Sequence, residues 1–213
     1  MPVSRGGVVA DAVTLALLAP DHEFSPDIVR QLSRVGTVER IRADVRDPDQ
    51  SGVVTSAPVG AVVWVTGHAD AVQMTASLYG QWPSVAAVLE VISTTRWGDA
   101  CDSSSDSAVT RVSFLRRRSD ISRAAFATHW RDVHAPLARL HNPTVAHYVQ
   151  SLVVRDLLGT APTVDGIASL RFRSRADLTD RFYGSPEGMR LLKADLQQFI
   201  DGPSPAILAS SSG

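Results

Sequence analysis

A Ser- and Asp-rich stretch divides the sequence almost in half, and the two halves share short segments in the same order. Residues 100–107 read Ala-Cys-Asp-Ser-Ser-Ser-Asp-Ser, without any apolar period, which is typical of a linker. The shared segments are Ala12-Val13-Thr14 with Ala108-Val109-Thr110, Ala69-Asp70 with Ala176-Asp177, and Tyr79-Gly80 with Tyr183-Gly184. Their common order predicts a duplicated unit.

Each half predicts the series β-α-β-β-α-β. In the first half, strands are predicted at 13–18, 38–45, 61–66 and 86–94, and helices at 24–34 and 70–78. In the second half, strands are predicted at 109–115, 145–154, 167–172 and 205–209, and helices at 123–140 and 177–199. Ser122 is the predicted N-cap of the first of these helices, and Pro186 breaks the second into two shorter ones.

The predicted fold class is α+β, with two fused units at residues 8–98 and 108–211 and a linker at 99–107. An antiparallel sheet with helices on one face must bury its other face. We expect the two sheets to pack face to face, which makes a barrel-like pseudo-dimer within one chain. Further pairing into a homodimer remains open.

Composition excludes several classes of partner. The 213 residues include 21 basic and 22 acidic side chains, so the chain has no excess of basic side chains that would favour binding to nucleic acid. The apolar runs are too short to span a bilayer, and residues 1–11 lack the apolar core of a signal peptide. We expect a cytoplasmic protein that binds no membrane. Cys101 is the single cysteine of the sequence, so an intrachain disulfide is excluded, and we expect this cysteine to be inert.

The predicted helix at 123–140 carries most of the candidate chemistry. Its apolar residues follow steps of 4, 3, 4 and 3 and should form one buried stripe: Phe126, Trp130, Val133, Leu137 and Leu140. His134 lies at the edge of this stripe, where it could act as a general acid or base or simply be a hydrogen-bonded core histidine. Pro136 cannot donate to the Asp132 carbonyl, which predicts a local distortion of the helix.

Other side chains are weaker candidates. Trp130 could stack on an aromatic ligand, although a core position is the first expectation for it. His129 and Asp132 are three residues apart and could form an imidazole–carboxylate pair, or a solvated surface pair. His147 and Tyr148 alternate on a strand, so only one of them can face the helices, and the sequence does not say which.

The same sequence argues against cofactors and metals. Motifs for nucleotides, zinc proteases and serine hydrolases are absent from it. His129 and His134 are five residues apart, about 140° around a regular helix, so we expect them to diverge and to hold no metal. Arg116, Arg117 and Arg118 indicate solvated edge charge, with carboxylate or coenzyme A binding by Arg116 as the alternative.

The second half resembles the EthD-type family of dimeric α/β-barrel proteins, over roughly residues 109–201. The resemblance lies in the pattern Phe126-x-x-x-Trp130-x-x-x-His134-Ala135-Pro136-Leu137, in Tyr148-Val149-Gln150, in Asp165-Gly166-Ile167-Ala168 leading to Phe172, and in Ser185-Pro186-Glu187-Gly188 and Asp195. It implies ferredoxin-like units and a ligand pocket between helices and sheet. The first half departs from it, because residues 24–34 contain no Trp or His, which puts a second active site in doubt.

The resemblance implies an enzyme of secondary metabolism, such as antibiotic biosynthesis, that acts on a polyketide-like aromatic molecule. Our leading expectation is a cofactor-independent lyase or cyclase that catalyses dehydration, cyclisation or decarboxylation by proton transfer. His134 would transfer the proton, and Tyr148 or His147 would donate a hydrogen bond. Phe126, Trp130, Phe172 and Arg116 would contact the substrate. The alternatives are a cofactor-free monooxygenase on phenolic polyketides and a non-catalytic ligand carrier.

Overall fold

The computed structural model describes residues 13–20, 27–51, 53, 55–83, 85–98, 108–160 and 163–212. The predicted linker, Cys101, His22 and the predicted helix start at Phe24 to Pro26 lie outside these residues. The strands are β1 Val13–Ala19, β2 Val38–Arg46, β3 Ala61–Gly67, β4 Ala87–Trp97, β5 Val109–Leu115, β6 Val145–Asp156, β7 Gly166–Phe172 and β8 Ala206–Ser212. The helices are α1 Asp27–Leu32, α2 Ala71–Gln81, α3 Arg123–His129, α4 Ala135–His141, α5 Arg175–Thr179 and α6 Pro186–Phe199.

The strands form a closed antiparallel barrel in the order β1-β3-β2-β8-β5-β7-β6-β4. Each half of the chain therefore supplies four consecutive positions, and both follow the sequence order fourth, first, third, second. The seams are the pairs β2 with β8 and β4 with β6. The expected α+β class and the barrel within one chain are confirmed.

Alternation along the strands separates the inner from the outer faces of the sheets. Residues of both halves fill the barrel, among them Leu18, Trp64, Phe114 and Ile207. The outer faces pack against helices, in one cluster for the first half and another for the second. Successive side chains of a strand thus point to opposite faces of the sheet. Both faces are buried, one inside the barrel and one against the helices.

Local signals place the helix ends of the second half. The Ser122 hydroxyl accepts from the Ala125 N–H at 3.1 Å, so the predicted cap of α3 is confirmed. The predicted break before Pro186 is also confirmed, since α6 begins there and its cap Ser185 accepts from the Gly188 N–H at 3.0 Å. In the described part of the chain, no helix is long and apolar enough to cross a membrane.

The apolar stripe predicted for residues 126–140 is wrong beyond Trp130. A π-helical turn at Trp130–His134 joins α3 to α4, and the Ala135 N–H donates to the Trp130 carbonyl, five residues back. This turn shifts the buried side, so Val133 and Leu140 are exposed while Ala135 and Ala138 are buried. The distortion predicted from Pro136 is therefore confirmed.

Candidate active site

A cavity of about 580 Å³ lies between the outer face of the second half's sheet and the helices that cover it. This volume suits a small organic ligand. The sheet contributes Arg111, Ser113, Tyr148, Ala168 and Leu170 to its walls. The helices and loops contribute mostly apolar side chains, together with His134 and Lys193.

The π-helical turn brings two histidines to one carboxylate. Nε2 of His129 lies 2.8 Å from Oδ1 of Asp195, and Nδ1 of His134 lies 2.7 Å from Oδ2. The prediction that His129 and His134 diverge is wrong, because the π turn closes an i→i+5 hydrogen bond, is wider than an α turn, and brings both side chains to the side of Asp195. Asp195 on α6 belongs to the pattern that suggested the family, but sequence reasoning gave it no role.

His134 is the histidine that reaches the cavity. Its side chain is only 12% exposed and lines the cavity wall. A carboxylate on Nδ1 favours the tautomer with the proton on Nδ1, which leaves Nε2 with a lone pair. Among the described residues Nε2 has no hydrogen-bond partner. His134 therefore has the geometry that a general base requires, and its catalytic role stays a prediction.

Asp195 keeps its negative charge in this arrangement. Burial alone would raise the pKa of its carboxyl, but the hydrogen bonds and charges of His134 and His129 outweigh burial and lower it. His129 also stacks on Phe199, with ring centroids 4.8 Å apart. The carboxylate therefore lies between two imidazoles, one held against the core and one facing the cavity.

Tyr148 lies in the wall of the same cavity and accepts two hydrogen bonds. Its hydroxyl receives Nε1–H of Trp130 at 2.9 Å and an Nε2–H of Gln150 at 3.1 Å. A phenol oxygen that accepts twice still has its own proton to donate. Burial raises the pKa of Tyr148 to about 12, so this proton is retained near neutral pH.

The register decides between His147 and Tyr148. Tyr148 packs with Phe126 and Trp130 on the helix side of β6, and its neighbour His147 lies buried on the other face. The suggestion that His147 reaches a ligand in this cavity is therefore wrong. Strand alternation was visible in the sequence, but the face of the sheet that the helices cover was not.

Trp130 and Phe126 have different positions. Trp130 lines the cavity, whereas Phe126 is fully buried behind it, with ring centroids 5.5 Å apart. Gly166 at the start of β7 makes this packing possible, because a Cβ there would lie 2.6 Å from the Trp130 ring. Trp130 can contact a ligand, and Phe126 supports it.

Three further candidates lie away from the cavity. Asp132 does not meet His129, because both of its oxygens lie 2.7 Å from the Arg131 guanidinium on the surface. Phe172 is fully buried against Phe182. Arg116 forms an exposed ion pair with Asp201. The arginine that lines the cavity is Arg111, which the sequence analysis missed because it lies inside a strand among apolar residues.

The two other arginines of the Arg116–Arg118 run, and His68 of the first half, are paired elsewhere. Arg118 pairs with Asp120, and Arg117 lies 3.5 Å from buried Asp165. His68 pairs with Glu39 near the end of β3. Among the described residues, no group of three His, Cys, Asp or Glu side chains is arranged to hold a metal ion.

Residues 118–203 match the family described as the EthD domain. Within this chain the match is confined to the second half. The match covers α3, the π turn, α4, Tyr148 and Asp195, whereas Arg111 and Ser113 of the cavity wall precede it. The resemblance predicted from the sequence is confirmed. No curated protein is significantly similar in sequence to the whole chain.

Two solved structures share the fold over nearly their whole length. An anthrone oxidase-like protein gives a TM-score of 0.55 at 11% identity, covering 96% of this chain and 92% of its own. A candidate monooxygenase of Fusobacterium nucleatum subsp. nucleatum gives a TM-score of 0.52 at 8% identity, covering 95% and 94%. At these identities the likeness shows the fold.

Both structures are named for oxidation chemistry, and neither is named for elimination or ring closure. The first expectation for the EthD domain, a lyase or cyclase, is therefore corrected. It rested on the family resemblance and on the proton chemistry of His134, and proton abstraction is also the first step of cofactor-free oxidation. The alternative of a monooxygenase agrees better with these neighbours.

Proposed function

We propose that this protein is a cofactor-free monooxygenase that oxidises a phenolic, polycyclic aromatic molecule in the cavity of its EthD domain. The observation that carries the proposal is His134: Asp195 holds its Nδ1 at 2.7 Å, while its other nitrogen is available at a mostly apolar cavity. The names of the two structural neighbours support oxidation as the reaction.

The first step is removal of a proton from the substrate. Nε2 of His134 takes it from a phenol or from a methylene group flanked by aromatic rings, and Asp195 stabilises the resulting imidazolium. A base of this kind contributes about 10²–10⁴-fold to a rate. The aromatic walls at Trp130 and Phe182 suit a flat ring system.

Tyr148 stabilises the anion that this step creates. Its O–H donates to the substrate oxygen on which negative charge develops, while Trp130 and Gln150 hold the phenol in place. Such donors are most effective when they are fixed before the reaction, in a site that excludes water. Tyr148 is only 2% exposed, which meets this condition.

The substrate anion then reduces molecular oxygen. The methylene carbon loses two hydrogens and gains one oxygen atom as a carbonyl, and the second oxygen atom leaves as water with those two hydrogens. The substrate supplies all four electrons, so the balance needs no external reductant. The protein's own residues move the proton, bind the ring and hold the oxyanion.

The test is oxygen uptake with 1,8-dihydroxyanthrone as the probe. We expect uptake above the spontaneous background and, under ¹⁸O₂, one labelled atom in the product. His134→Ala should lower the catalysed rate about 10²–10⁴-fold. The matched control is His68→Ala, an exposed histidine of the first half, which should leave the rate unchanged. Binding of the probe without catalysed uptake would contradict the proposal and favour a ligand carrier.

We also infer that the barrel consists of two fused ferredoxin-like units, at about 8–98 and 108–211. The support is the strand order fourth, first, third, second within each half. Expression of 108–211 alone tests this inference. A folded product that dimerises through the exposed strands β6 and β8 would support it, and an unfolded product would contradict it.

A further inference from the structure

Arg111 is a cation without a counter-charge in the cavity wall. It is the third residue of β5, is partly buried and lines the cavity. Its Nε is buried and has no hydrogen-bond partner, and among the described residues no carboxylate forms an ion pair with it. Burial lowers the pKa of its guanidinium, although the nearby Tyr183 opposes this.

Several other arginines of the same half form ion pairs. Arg118 contacts Asp120, Arg131 contacts Asp132, and Arg190 contacts Glu187. These pairs are exposed, where an unpaired charge would cost little. An unpaired charge costs more free energy at Arg111 than at these exposed arginines, because burial removes water from the Arg111 guanidinium. Its one aromatic contact, the Phe182 ring at 5.8 Å, offsets only part of this cost.

The charge of the cavity wall is positive. Lys193 lines the cavity as a second cation, and no Asp or Glu is among its described lining residues. The carboxylate of Asp195 lies behind His134 and is engaged by both imidazoles. A ligand with a negative group would therefore find its counter-charges already in place.

The sheet register fixes the distance between Arg111 and the proposed reaction centre. Arg111 pairs with Leu170, and Leu170 pairs with Tyr148 on the next strand. The three residues lie in one row across the sheet, on its helix-covered face. Two strand spacings place the Arg111 and Tyr148 backbones about 10 Å apart. A polycyclic skeleton can span this distance with one end at each residue.

We propose that Arg111 binds a carboxylate on the substrate, so that the cavity selects polycyclic aromatic acids and presents the opposite end of the ring system to Tyr148 and His134. The orientation of that end rests on the proposed function, whereas the binding of the carboxylate does not. A guanidinium and a carboxylate are both planar and form two parallel hydrogen bonds. A carboxylate conjugated to the rings keeps the ligand flat between sheet and helices.

The test compares anthracene-2-carboxylate with anthracene-2-carboxamide, which differ in charge and not in shape. Their fluorescence reports binding directly, without any turnover. Wild type should bind the carboxylate at least tenfold more tightly than the carboxamide. Arg111→Gln should bring this ratio close to one by weakening the carboxylate alone, and Arg111→Lys should keep part of the preference. Arg190→Gln removes an exposed arginine as the matched control and should leave the ratio unchanged.

A second readout concerns the protein without ligand. Removal of an unpaired, partly buried cation should raise the Tm of Arg111→Gln, whereas Arg190→Gln should leave it nearly unchanged. Equal binding of both probes to wild type, failure of the carboxylate to bind, or equal weakening of both probes in a folded Arg111→Gln would overturn the proposal. If wild type prefers the carboxylate but catalyses no oxygen uptake, the proposed function is overturned and the carboxylate site is not.

Discussion

The outer faces of the two half-sheets have the same strand pattern and different side chains. In the second half, one row across the sheet reads Arg111, Leu170 and Tyr148. The corresponding row of the first half reads Leu15, Val65 and Ile41, paired in the same way. All three belong to or pack against the first half's apolar cluster. The same backbone positions therefore build a packed core in one half and a polar cavity wall in the other.

The helices repeat this contrast. α1 has six residues, whereas α3, the π turn and α4 together extend from Arg123 to His141. α2 has no acidic side chain, whereas α6 carries Asp195. Within the described residues, only the second half combines a long covering helix, a π turn and a facing carboxylate. Two half-sheets with the same strand order can thus differ, one packed as a core and the other bordering a cavity.

The largest expected effect tests whether the outer face of the first half's sheet is packed more closely than that of the second half. Leu15→Ala removes a fully buried side chain and should lower the free energy of unfolding by about 2–5 kcal/mol. Leu170→Ala, in the corresponding row of the second half, should cost less than half as much because its side chain already borders a cavity. Urea unfolding measures both. Equal losses would mean that the two sheet faces are packed alike.

The next effect concerns Tyr148 at high pH. Its pKa is raised from 10.0 to about 12 in the folded protein, so the neutral phenol contributes stability below pH 10 that is lost as pH rises towards 12. Two pKa units correspond to about 2.7 kcal/mol. Tyr148→Phe removes the acceptor of the Trp130 indole N–H and one of the two acceptors of the Gln150 amide, so it should be less stable at pH 7.

The difference between wild type and Tyr148→Phe should therefore shrink by about 2–3 kcal/mol between pH 10 and pH 12. Tyr79→Phe in the first half is the matched control, since Tyr79 is 41% exposed. Unfolding curves at several pH values measure the difference. A constant difference would show that the phenol is not shielded from water.

The smallest expected effect tests whether Asp195 on α6 orients His134 or only contributes to packing. Asp195→Asn keeps the shape of the side chain but can donate to Nδ1 of His134, which favours the wrong tautomer for a base. We expect kcat for oxygen uptake to fall about 10–100-fold, with little change in KM.

Glu187→Gln, an exposed change on the same helix, is the control for Asp195→Asn and should leave kcat unchanged. A higher KM with unchanged kcat would assign Asp195 to ligand binding and not to the orientation of His134. A loss of folding in Asp195→Asn alone would assign it to structure.

Much of the fold could be predicted from local patterns. The strands of both halves, the Ser122 cap and the break before Pro186 depend on residues within a few positions of one another. His134 and Tyr148 were found because their surroundings matched a family pattern. Asp132 was suggested as the partner of His129 from the three-residue spacing of a regular helix, whereas the actual partner, Asp195, was given no role because it lies 66 residues away in the sequence.

The sequence by itself determined the duplicated β-α-β-β-α-β order, the barrel and the helix that carries His134, because short-range periodicity and capping chemistry specify them. Only the tertiary structure decided that Asp195 meets His134 across 61 residues, and that Arg111 and Tyr148 share one face of the sheet. The physical reason is that a π turn and a strand register are settled by packing between distant segments. A local sequence pattern does not specify that packing.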